Sequence, residues 1–402
     1  MNMKSNYNPL YFLAALGNGG LAVSFFMYLM FMVPHPNTPM ATFNDIYPYI
    51  TGGSPFVSIS IVVALLAIIY FAVKHFEKII WNVKEFNKFK KTEAYQALRS
   101  SNGEVSLMAI PLTFAMMINV LFILGAVFIP GLWNYVQLLL PFALLGFMVV
   151  GYYALNLFVR MMTRFMTTSS FKEEANNHFS QLLSAFAFTM VAVGFAAPGA
   201  MSHNIIVSSV GILFAILFTL VSLVLITVWI ALGLQSIFKS GFALEAGPSI
   251  WMLIPILTLI GITGVRVTSG LAHNFLGIDP NPLISFVGLG AIITAQIVVG
   301  ILGYSVLTKI SYFNTFTRGS QNSAGSYGLI CPGVAFSVLG MFFIHWGLVQ
   351  NGVVDKFSIA YFIFLAPFTI VQFKTIQVLS KLNKKHFNST TVTAKQVQER
   401  TI

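Results

Sequence analysis

Long apolar blocks separated by short polar or basic connections dominate this chain. Ten can be drawn: Leu10–Val33, Val57–Phe76, Val105–Phe128, Val136–Val159, Phe179–Ala197, Ile205–Leu232, Ile250–Gly270, Leu283–Thr308, Tyr327–Val349 and Phe357–Leu379. Each is long enough to cross a bilayer as an α-helix, which satisfies its backbone N–H and C=O groups internally, and none alternates as a membrane barrel strand does. The pattern predicts an all-α integral membrane protein of ten transmembrane helices. Residues 1–381 would form the membrane domain, and residues 382–402, with little apolar content, a disordered tail.

One phrase recurs. Val105–Pro111 reads VSLMAIP, Ser249–Pro255 reads SIWMLIP and Ser326–Pro332 reads SYGLICP, each opening an apolar run with proline at its seventh place. Proline lacks an N–H and crowds the carbonyl one turn back, so the phrase predicts a bend at Pro332 and its counterparts. It also sets Ile110, Ile254 and Cys331 at one level, with Ser184 as the fifth span's equivalent. Such repeats suggest helices of equal rank around a common axis. Odd-numbered spans carry the proline phrase, or LGNGG (Leu16–Gly20) in the first, and hold polar residues such as Asn18, Thr113, Asn119 and Thr258; the even spans are greasier. Polar groups facing lipid are costly. We therefore expect five hairpins, arranged quasi-fivefold as an inner ring of odd helices inside an outer ring of even ones, around a central pore. Short connections such as Pro130–Tyr135 and Pro198–Asn204 fit that pairing, while Pro34–Phe56 looks too rich in Pro, Gly, Asn and Thr for a helix and is expected to cap the outer mouth.

Composition agrees. With 57% hydrophobic residues, 8% charged and a mean hydropathy of +0.82, the 402 residues cannot cover a soluble globule. A net charge of +11 could suggest nucleic acid, but the bases lie in connections between spans, and only Arg266 and Lys356 fall toward one side. This positive-inside bias places both termini in the cytoplasm and excludes a nucleic-acid partner. The basic loop of residues 77–104 carries Ile80, Val83, Phe86 and Phe89 among its lysines, which suits a short helix on the anionic inner leaflet or a solvated loop. One cysteine excludes internal disulfides and multi-thiolate metal sites, and His203, His273 and His345 lack ligand spacing, so no metal or cofactor is expected.

Candidate residues follow. Gly17 and Asn18 suit a pore wall, although Asn18 could simply satisfy its own helix. Cys331 is either a small packing residue or a functional thiol. An isolated guanidinium at Arg266 costs on the order of 3 kcal/mol or more in the membrane unless paired or hydrated. It either snorkels, pairs with Asp279, or lines an outer vestibule that concentrates anions.

Three stretches resemble a known family. NPLYFLAALGNGGLA (Asn8–Ala22), AGPSIWMLIP (Ala246–Pro255) and SYGLICPGVAF (Ser326–Phe336) are similar to the first, seventh and ninth helices of the tellurite-resistance and dicarboxylate transporter family, which includes the plant slow-type anion channels. The resemblance implies ten helices with quasi-fivefold symmetry, a central anion pore, a homotrimer, a bacterial inner membrane and substrates such as chloride, nitrate, sulfite, thiosulfate or dicarboxylates. In that family the ninth helix has Phe-Pro where this chain has Cys331-Pro332, and the phenylalanine plugs the pore, so either a neighbour such as Phe336 takes over the plug or the gate lies elsewhere. The chain is also similar to a TsoY-like branch whose members carry selenocysteine or cysteine at a functional position. Two functions thus stand: an anion channel or transporter, not an enzyme, or a membrane thiol protein handling sulfur compounds through Cys331.

Overall fold

The computed structural model describes residues 3–388. Among them are twelve α-helices and no strand: α1 (Phe12–Met32), α2 (Phe43–Gly52), α3 (Pro55–Phe89), α4 (Glu93–Arg99), α5 (Ala109–Phe128), α6 (Val136–Thr168), α7 (Leu182–Met201), α8 (Ile205–Ser240), α9 (Leu253–Leu271), α10 (Pro282–Lys309), α11 (Ile330–Phe342) and α12 (Ile359–Asn383). All except α2 and α4 belong to stretches long and apolar enough to cross a membrane, ten in total. This is a multi-pass membrane protein.

The repeated proline does something other than bend a helix. Pro111, Pro255 and Pro332 are each the third residue of an α-helix that follows a 3-10 segment, Asn102–Met108, Leu244–Trp251 or Ala324–Leu329. A first-turn residue has little intrahelical hydrogen bonding to lose, so proline is cheap there and marks where the tight turns widen into the α-helix. Ser101 and Ser323 start two of these segments by accepting from the N–H of Gly103 and Gly325, both at 3.2 Å. Among the membrane-length helices the internal prolines are Pro141 in α6, Pro198 in α7 and Pro367 in α12, two of the three in even spans; Pro48 lies inside the short α2.

Three connections depart from expectation. The first outer connection contains a helix, α2, because the Asp45 carboxylate accepts from the Thr42 N–H at 2.9 Å and the Thr42 hydroxyl at 2.6 Å, half of a capping box. Its Pro, Gly and Thr content hid that signal. In the basic stretch after Glu77, α3 has no breaker and runs on through Ile80, Val83 and Phe86 to its end at Phe89, and the separate short helix there is α4, Glu93–Arg99. Rings of Phe86 and Phe89 pack on Tyr7 at 6.4 and 5.6 Å, so the chain's own N-terminal segment covers this apolar face. The tail also begins later than residue 382. Helical structure continues to Asn388, Tyr327 donates to Asn383 Oδ1 at 3.1 Å, and the Phe387 ring lies 5.0 Å from Trp81 with Lys78 Nζ above it. The rest of the expected tail, 389–402, lies outside the described residues.

Burial separates two kinds of span. Over their most apolar stretches the odd spans are 83, 61, 94, 50 and 78% buried, the even ones 28, 28, 33, 17 and 28%. Packing follows the same division: α1 touches α5, α5 touches α7, α7 touches α9, α9 touches α11, and α11 returns to α1. Each even span packs on the odd spans before and after it, as α3 does on α1 and α5, and α12 on α11 and α1.

Candidate functional site

A cavity of about 760 Å³ is flanked by all five odd spans, with Leu140, Ala143 and Phe147 of α6 and Ser285 of α10 adding to its wall. Helical spacing builds its wall. On α1 the lining positions include Leu16, Gly20, Val23, Met27 and Met30, and on α7 Phe186, Met190, Val193 and Ala197, steps of three and four that keep one face inward. At the end where the odd helices begin, the first wall residue of each is Leu16, Met116, Phe186, Pro255 and Cys331. At the opposite end, Pro39, Met40, Pro282 and Gln350 border it, so the connection before α2 reaches over the cavity.

Arg266 is the one Lys or Arg among the described residues on this wall, and Asp279 the one acidic residue. The Arg266 guanidinium donates from Nη1 to the Val193 carbonyl at 3.1 Å and forms no ion pair with Asp279. One backbone carbonyl leaves most of its five N–H donors available to the cavity. Asn119 also lines the wall, its amide touching only a weak acceptor, Met190 Sδ at 3.8 Å. Thr258 is already engaged, donating to the Ala335 carbonyl at 3.0 Å and accepting from Gln296 Nε2 at 2.7 Å.

Of the sequence-derived candidates, Cys331, Gly17 and Arg266 lie on the cavity wall. The others do not. Ile110 and Ile254 sit in the first turns of α5 and α9, packed below the cavity floor, and Pro332 is buried beside Cys331. Ser184 is the third residue of α7, so it matches the prolines; Leu183 is the counterpart of Ile110, Ile254 and Cys331. Its hydroxyl turns back to the Gln181 carbonyl at 2.7 Å. Asn18 donates to the Ala14 carbonyl at 2.7 Å, the local role weighed against lining. Phe336 points away toward α12, its ring 4.8 Å from Phe368, and cannot plug the cavity.

Sequence reasoning missed Phe186 and Met116 as wall residues, whereas Asn119 and Thr258, named among the polar residues of the odd spans, do line it. The three-and-four spacing along α7 carried the signal for Phe186, which stands one turn below Met190. Among the described residues no group of three His, Cys, Asp or Glu side chains could hold a metal. His345 is instead held between the Met341 carbonyl and Tyr361 Oη, both at 2.8 Å, and stacked on Phe31 at 4.5 Å. No family model matches the chain, and no curated protein or solved structure matches it either.

Proposed function

We propose that this protein is a channel or transporter for small inorganic or organic anions, with the odd spans as an inner ring and the even spans as an outer ring of five hairpins around a central pathway. The observation that carries this reading is Arg266, a guanidinium without an acidic partner on the wall of a cavity flanked by all five odd spans. An intramembrane cation is tolerated where it meets water or a counter-ion, and this one forms no ion pair among the described residues. A cation pathway would need carboxylates among the spans; Asp279, beyond the end of α9, is the one on the wall. The tellurite-resistance and dicarboxylate transporter resemblance, a homotrimeric assembly, cytoplasmic termini and a bacterial inner membrane belong to the same proposal.

Flux into proteoliposomes tests it, with chloride, nitrate, sulfite, thiosulfate and malate offered in turn. Arg266→Ala should weaken uptake more at low salt than at high salt, because mobile ions already screen a distant charge over about 10 Å at 0.1 M. Equal uptake by variant and wild type at both ionic strengths would reject the role of Arg266. A second reading, a membrane thiol protein handling sulfur compounds, draws on one observation: the chain's only cysteine lies on the cavity wall.

A further inference from the structure

The chemistry of the wall narrows what the cavity can hold. Six methionines, Met27, Met30, Met40, Met116, Met190 and Met201, share it with Phe122 and Val338. Thioethers and hydrocarbon donate no hydrogen bonds, so a strongly hydrated ion gives up water along the methionine-lined part of the wall and meets donors where Arg266, Asn119, Ser269, His273, Ser285 and Gln350 border it. A volume of about 760 Å³ is that of a chamber for a small organic molecule, far larger than one bare ion requires. Methionine's flexible, polarisable chain suits contact with apolar bodies of varied shape.

Resting on the anion reading above, we propose that the cavity selects an organic monoanion: a single sulfonate or carboxylate head at Arg266 and an aliphatic or aromatic body against the methionine-lined wall. One charge is the limit because the wall offers one guanidinium and also carries Asp279. A dicarboxylate would leave its second charge without a cation on an apolar surface.

Alkanesulfonates are the probe, since they stay ionised and do not cross the bilayer as neutral acids. The full chain in proteoliposomes is assayed for nitrate flux while ethane-, butane- and hexanesulfonate compete, and the same compounds are added to the detergent-solubilised protein in a thermal-shift series. Half-maximal concentrations should fall about fourfold per added methylene in both measurements, the value expected for burying a CH₂ group. Butane-1,4-disulfonate should compete far less well than butanesulfonate, and Arg266→Gln should weaken the whole series. Nitrate flux with no dependence on chain length would overturn this inference and leave the anion pathway standing. Loss of nitrate flux in the wild type would overturn the pathway, while the thermal-shift series still decides this proposal: a flat series rejects it.

Discussion

Cys331 sits at the second position of α11, on the cavity wall at the end where the odd helices begin, where its neighbours are apolar and no second thiol exists in the chain. Serine is close to it in size and can return its hydroxyl to a carbonyl of its own helix, so Cys331→Ser should cost about 1 kcal/mol of stability. On the anion reading flux should be unchanged. Loss of flux with an unaltered melting temperature would transfer the function to the thiol. Neighbouring Gly17 shows why some residues resist reading from sequence. The LGNGG run suggested a lined wall, and Gly17 does border the cavity, yet an added Cβ would also stand 2.7 Å from Ile330 Cγ2 of the ninth span. Gly19, two places on, is not on that wall; its Cβ would meet Nδ1 of His75 and Cγ of Met116, each at 2.7 Å. These glycines are required by partners far along the chain, and no local pattern announces such partners.

Helix starts, rather than mid-helix kinks, are the shared feature of the odd spans. The repeat was legible as a seven-residue phrase, but spacing alone could not say that its proline falls in a first turn, because nothing in the phrase marks where 3-10 turns give way to the α-helix. This placement has a thermodynamic consequence. A mid-helix proline costs about 3 kcal/mol relative to alanine through its lost hydrogen bond and clash, whereas a third-position proline meets neither penalty in full. Pro255→Ala should therefore change unfolding stability by less than about 1 kcal/mol in either direction. A gain near the mid-helix value, read from the denaturant midpoint in detergent, would show that Pro255 bends a continuous helix. Helix α2 is the complementary case: its Thr42–Asp45 signal was present, but Pro48 and the surrounding turn-forming residues outweighed it in the sequence reading.

At the level of the whole molecule, the division into buried odd spans and exposed even spans was legible because lipid tolerates few polar groups, and polarity accumulates in the helices that avoid it. The level at which the cavity ends was not, since it depends on which side chain of each inward stripe is bulky where the helices draw together. Phe186 is the largest residue at that closed end and only 4% exposed, while Phe336, a candidate from sequence to fill this place, stacks outside the cavity on Phe368. If the pathway continues past this point, the Phe186 ring is what obstructs it. Phe186→Ala should raise anion flux several-fold, at a stability cost of about 3–5 kcal/mol from the lost ring and the space it leaves. Phe186→Leu, which removes less, should raise flux less and keep the fold more secure. Phe336→Ala supplies the control, because it removes a comparable ring from outside the cavity wall. A rise confined to the Phe186 variants marks the closed end as a barrier to anions, and an equal rise in Phe336→Ala would assign the increase to loosened packing instead.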